Sequence, residues 1–128
     1  MKRETAQWVR KAEQDWEVAH KLAGENPPPR DIVCFLCQQA AEKYLKALLQ
    51  ENGLVVPRTH DLVNVLNLLL PGDATLVPLR RKSRSLTQYA VDYRYPGMMA
   101  SKRQMEAALR HVDKIRLECR GRLNLSLS

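Results

Sequence analysis

The chain has 128 residues, enough for one domain built on a single core. Hydrophobic residues make up 45% and charged residues 27%, a balance that excludes disordered and fibrous classes and predicts a soluble globular protein. The net charge is +7. That field favours phosphate-rich partners without specifying one.

The pattern along the chain is helical throughout, with no strand-type alternation and no internal repeat. The first predicted helix runs from about Arg3 to Ala23. Trp8, Val9, Ala12, Trp16, Ala19, Leu22 and Ala23 recur at three- and four-residue steps and make one apolar stripe, read as core. Gly24 stops it, and Asn26-Pro27-Pro28-Pro29 forms a stiff connector.

The second helix is predicted from Asp31, taken as its N-cap, to just before Gly53. Its polar residues Gln39, Glu42, Lys43, Lys46 and Gln50 form one narrow strip, and the rest is apolar or small, so this is the expected central helix. At 1.5 Å per residue it would span about 30 Å. The third helix is expected from Thr59, as cap, to about Leu70, after Pro57 and before Pro71-Gly72. The fourth is expected from about Leu76 or Pro78 to about Tyr93, burying Leu79, Ser83, Leu86, Ala90 and Tyr93. The fifth opens on Ser101-Lys102-Arg103-Gln104, which reads as a capping box. It turns Met105, Ala108, Leu109, Val112, Ile115 and Cys119 inward, and the residues after it are expected to fray.

These five segments with mostly short connections predict an all-α, five-helix up-and-down (antiparallel) bundle over residues 1–128, with a core of about 4–120. Strict alternation would put the end of the second helix, the start of the third, the end of the fourth and the starts of the first and fifth at one pole. Lys46, His60, Asp61, Tyr93, Arg94 and Tyr95 would then gather there. No run approaches the roughly 18 apolar residues of a membrane span. The charged start Met1-Lys2-Arg3-Glu4 lacks a signal-peptide pattern. A cytoplasmic protein without a membrane partner is therefore expected. Three cysteines, with Cys34 and Cys37 as a lone pair, give neither a disulfide framework nor the about four ligands of a zinc site. Reduced core thiols, no metal and no cofactor are expected.

Three phrases carry a resemblance: Gln38-Gln39-Ala40-Ala41-Glu42-Lys43-Tyr44-Leu45-Lys46-Ala47, then Thr59-His60-Asp61-Leu62, then Tyr93-Arg94-Tyr95-Pro96. In this order and spacing the chain resembles the HEPN domain (higher eukaryotes and prokaryotes nucleotide-binding) over about residues 4–120. The resemblance implies a bundle like the C-terminal domain of kanamycin nucleotidyltransferase, usually a homodimer. It also implies a nucleotide- or RNA-binding protein beside a minimal nucleotidyltransferase partner, in a toxin–antitoxin-like pair. Many members are metal-independent ribonucleases, marked by Arg, four to six residues, then His. None of His20, His60 and His111 is preceded by Arg at that spacing, so the ribonuclease motif is absent.

His60 and Arg94 are nonetheless the catalytic candidates. An imidazole can take a 2′-hydroxyl proton, and a guanidinium can steady phosphorane charge. Glu42, Lys46, Asp61, Tyr93 and Tyr95 are the candidate ligand-binding residues around them, the tyrosines as stacking platforms. A purely structural latch, in which Arg94 ties loops together through Asp61, Glu42 or Asp92, accounts for the same residues. Arg80, Arg81, Lys82 and Arg84 form the densest basic patch, with Arg116, Arg120 and Arg122 read as extending a basic face. Three functions thus stand side by side: a binding partner of a nucleotidyltransferase, a metal-independent ribonuclease, and a structural interaction module.

Overall fold

The computed structural model describes residues 1–91, 95–97 and 99–128. Five α-helices make a bundle, with no strand among the described residues: α1 (Arg3–Ala23), α2 (Arg30–Glu51), α3 (Leu62–Leu69), α4 (Arg80–Thr87) and α5 (Lys102–Arg122). Short 3₁₀ segments, Ala74–Leu79 and Gln88–Ala90, lead into and out of α4. No helix among the described residues is long and apolar enough to cross a membrane.

The centre is α2, which packs against α1, α3, α4 and α5. Val33, Cys34, Cys37, Ala40, Ala41, Tyr44, Leu45, Ala47 and Leu49 are all fully buried. Each large apolar side chain among them contributes about 1.5–3 kcal/mol by leaving water. The thiols of Cys34, Cys37 and Cys119 are free and buried, packing as small apolar groups. Burial pushes the Cys34 thiol up to about 11, with Asp31 adding to the rise.

Polar contacts fix the helix directions. Lys2 donates its backbone N–H to Glu51 at 2.9 Å, so the start of α1 meets the end of α2 and the two run antiparallel. Ala100 donates its backbone N–H to the Asp31 carboxylate at 2.6 Å, so α5 begins beside the start of α2. Further along, Tyr44 and Arg116 converge on Glu13 of α1, so α5 runs parallel to α2 and antiparallel to α1. Leu62 donates to Thr87 Oγ1 at 3.0 Å, and Arg80 donates to Asn67 at 3.3 Å, so α3 and α4 are antiparallel.

This corrects the single shared pole. Residues 52–61 return along α2 before α3 begins, so His60 meets α2 at Gln38 and Glu42, near its middle. The start of α5 lies beside the start of α2, away from the end that meets α1.

Several boundaries also differ. Asp31 is not the cap of α2; Pro29 holds that position, and the Asp31 carboxylate serves α5 instead. Helix α3 is capped by Asp61, whose carboxylate accepts from Val63 and Asn64 at 2.9 and 3.4 Å, while Thr59 Oγ1 accepts from Asp61 N–H. The fourth helix is shorter than expected. Pro78 has no N–H to donate, and regular α-helix starts only at Arg80. At the other end the Thr87 hydroxyl donates to the Ser83 carbonyl, a side-chain bond that competes with the ladder. The capping box of α5 is present, Gln104 N–H to Ser101 Oγ at 3.0 Å and Ser101 N–H to Gln104 at 2.8 Å. The C-terminal residues do not fray: Leu123 is buried, Leu125 packs on the core, and Arg116 donates to the Ser128 carbonyl at 3.3 Å.

Candidate functional site

Gln38 and Glu42 of α2 meet the return segment at His60, and with Lys46 they make a buried charge cluster. Glu42 and Lys46 are one turn apart and each only 5% exposed. Lys46 Nζ donates to Glu42 Oε2 at 3.0 Å, in the favourable acid-before-base order. The ammonium also lies 5.8 Å from the centre of the Trp8 ring. The other carboxylate oxygen takes two more donors, Gln38 Nε2 at 3.1 Å and His60 Nδ1 at 2.9 Å. Three protein donors thus take the place of water around this buried carboxylate.

His60 differs from its neighbours: its side chain is 66% exposed while Glu42 is almost wholly buried. An ionised carboxylate only accepts, so Nδ1 carries the proton and Nε2 is left toward solvent as the free ring nitrogen. Gln38 Nε2 also donates to the His60 carbonyl at 3.0 Å, so one side chain holds both the backbone and, through Glu42, the imidazole. Gln39 donates in turn to Gln38 Oε1 at 2.7 Å. The result is an imidazole held by a buried acid, with its outer nitrogen making no hydrogen bond among the described residues.

Of the sequence candidates, Glu42, Lys46 and His60 come together. Asp61 is adjacent, but its carboxylate is spent on the cap of α3. Tyr95 is 60% exposed. Tyr93 and Arg94 lie outside the described residues. Arg80, Arg81 and Arg84 are exposed on α4, and Lys82 is half-buried beside His111 of α5.

Sequence reasoning missed Gln38 as the organiser, although it stands one turn before Glu42. It also misread Arg116 and Arg120. Rather than forming a basic face, they clamp Glu13: Arg116 donates twice, at 2.9 and 3.2 Å, and Arg120 once at 2.9 Å, with the Tyr44 hydroxyl on the same carboxylate. Arg116 also stacks 3.8 Å from the centre of Trp16, whose indole donates to Asp113 at 2.8 Å beside His20 at 2.7 Å. The signal was in the stripe: Arg116 follows Val112 by four and precedes Cys119 by three, so it had to point inward. Arg122 likewise pairs with Asp73 at 2.6 Å and with Glu118 at 3.1 Å. Among the described residues no three His, Cys, Asp or Glu side chains gather as a metal site would require.

The HEPN domain model matches residues 5–122, nearly the whole chain. The chain belongs to the HEPN domain family. Two solved structures share the HEPN fold of this chain. TT1696 from Thermus thermophilus superposes with a TM-score of 0.81 at 26% identity, over 94% of this chain and 98% of that one. ST0689, an archaeal HEPN homologue, superposes with a TM-score of 0.72 at 26% identity, over 96% of this chain and 99% of that one. No curated protein matches the sequence.

Proposed function

We propose that this HEPN domain is a nucleotide- or RNA-binding module that works as a homodimer beside a minimal nucleotidyltransferase, in a toxin–antitoxin-like pair. The observation that carries the binding reading is the exposed His60 imidazole anchored on the buried Glu42–Lys46 pair. Such a group is preorganised to donate to or accept from a phosphate or base edge, with Arg94, Tyr93 and Tyr95 as the further contacts expected from the sequence. The nucleotidyltransferase partner and the pairing rest on the three phrases of the sequence.

A panel of nucleoside mono-, di- and triphosphates at millimolar concentration tests it. A ligand at ten times its Kd should stabilise the fold by about 1.4 kcal/mol. That is a rise in Tm of roughly 4 °C for a chain of this size. His60→Ala should abolish the rise. Melting unchanged across the panel would overturn the reading, and failure to co-purify with a co-expressed nucleotidyltransferase would remove the partner.

One observation favours a second reading, RNA cleavage without metal: Nδ1 of His60 is already held by a carboxylate, as a general base requires. Here His60 Nε2 takes the 2′-hydroxyl proton as the 2′-oxygen bonds to phosphorus, Arg94 steadies the phosphorane, and the P–O5′ bond breaks as the proton passes from the imidazolium to the leaving 5′-oxygen. Cleavage in chelator that is lost in His60→Ala is its signature, and full-length RNA after long incubation at high protein concentration ends it.

A further inference from the structure

The positive charge of this chain is not spread over its surface. Residues 74–91 hold four cations and no carboxylate, and residues 102–111 hold three cations and one carboxylate, so these two stretches carry +6 of the chain's +7. They are α4 with its flanking turns and the first half of α5, which pack against each other. Elsewhere cations and carboxylates nearly balance, and the buried and half-buried cations include Lys43 paired with Asp15, Lys46 with Glu42, Arg116 and Arg120 with Glu13, and Arg122 with Asp73. Arg10 and Lys11 stand exposed on α1 without a partner at ion-pair distance among the described residues. Among the described residues, Arg81, Lys82, Arg84, Lys102, Arg103 and Arg110 have no carboxylate at ion-pair distance. All are exposed except the half-buried Lys82.

The geometry of the face adds to the count. Arg103 and Arg110 are seven residues apart, hence on one side of α5 about 10 Å apart along its axis. They line an open concavity of about 520 Å³ with Lys102 and Glu106. Arg80, Arg81, Lys82 and Arg84 line a second of about 450 Å³ on α4. Between the two helices, burial together with the charges of Lys82 and Arg110 holds the His111 imidazole below its usual range. Lys82 of α4 and Arg110 of α5 thus come close at the seam, with no carboxylate at ion-pair distance from either among the described residues.

We propose that the α4–α5 face docks single-stranded nucleic acid through its phosphates, independently of base and sugar, at a surface separate from the His60 cluster. An acidic protein is the weaker fit. Protein interfaces centre on a desolvated apolar patch depleted in charge, whereas this face is dominated by guanidinium and ammonium groups, with Glu106 its one carboxylate. Planar guanidinium forks match phosphate oxygens. The face also leads toward His60: Arg84 stands one turn before Thr87, whose hydroxyl accepts from Leu62 two residues past His60. None of its residues belongs to the His60 cluster, so the inference stands whether or not that cluster binds nucleotide.

The test is binding of a 12-nucleotide oligouridylate and an oligothymidylate of equal length, by fluorescence anisotropy over a salt series. The two strands should bind alike, with log K falling in proportion to log salt at about 0.7 per phosphate engaged. The triple variant Arg81→Ser, Arg84→Ser, Arg110→Ser should weaken binding at least tenfold at low salt and reduce that slope by about 2. Its thermal shift with mononucleotides should be unchanged, which separates this outcome from failure of the His60 reading. The control Arg10→Ser, Lys11→Ser, on the exposed side of α1, should bind as the parent does. Parental affinity in the triple variant overturns the proposal, and so does an equal loss in the control. Polyglutamate of matched charge binding as tightly as the oligonucleotides overturns it too, and assigns the face to an acidic protein.

Discussion

At Glu42 a buried anion takes donors from Lys46, Gln38 and His60, and the outermost donor is the one that reaches solvent. Truncation would strand the Lys46 ammonium without its counter-charge. Glu42→Ala should therefore cost about 3 kcal/mol in urea unfolding. Converting both partners to similar-sized uncharged side chains, Glu42→Gln with Lys46→Met, should recover most of that loss. A double variant as unstable as Glu42→Ala would show that packing, rather than the stranded charge, sets the cost. The residue types here were legible, because charge inside an otherwise apolar helix stands out. Their partners were not. Gln38 looks like any helix glutamine until the return segment lies across it, and no local pattern records that contact.

Helices are where the sequence speaks most clearly in this molecule. Gly24 and the proline run bound α1, the apolar circumference of α2 marks the hub, and Ser101 with Gln104 marks the start of α5. The errors fall where two good local signals compete. Thr59 and Asp61 are both fit to cap α3, and the carboxylate wins by reaching two backbone N–H groups while the threonine hydroxyl steadies Asp61 itself. Asp31 has cap chemistry but is used at long range on Ala100. Asp61→Ala should accordingly lower stability by about 1 kcal/mol, the usual worth of a cap, whereas Thr59→Ala should cost less. Equal losses on chemical denaturation would mean that the threonine is the working cap after all.

For the whole molecule, the long-range carboxylates set how the fold answers acid. Burial raises the Glu13 carboxyl, but the bonds from Arg116 and Tyr44 and the charges of Arg116 and Arg120 outweigh it, so the group sits below the usual range. Asp73 and Glu118 are held low as well, Asp73 mainly by Thr75 and Arg122, Glu118 mainly by Arg122. A depressed carboxylate gives stability that is complete above its unfolded value, near 4, and lost as pH falls through its folded value. His111 has the opposite charge and the same direction of loss. Burial and its cationic neighbours hold its imidazole below the usual range in the fold, so from about pH 6.5 downward the unfolded chain takes up the proton more readily than the native state does. Unfolding free energy against pH should therefore decline gently below about 6.5 and steeply below about 4. His111→Gln should flatten the first decline and leave the second. A parent curve level from pH 7 to 5 would refute the assignment. Neither the Glu13 clamp nor the crowding at His111 was readable beforehand, since each joins residues that the chain sets far apart.

The return segment between α2 and α3 has one more consequence. Among the described residues its backbone from Val55 to His60 donates no hydrogen bond to another backbone group, and its polar hold on α2 is the pair of fastenings that Gln38 and Glu42 make to His60, with Val56 packed on the core beside them. Undoing those two, with the partly exposed Val56, would let the strap lift while the packed helices stay in place, because its other apolar side chains, Leu54 and Val55, already face water. The amides there should exchange with solvent ahead of those of the packed helices, by a local opening cheaper than global unfolding. The imidazole thus rides on a lightly tethered stretch of the scaffold, which on the reading proposed above would let a ligand enter and leave at His60 without disturbing the core.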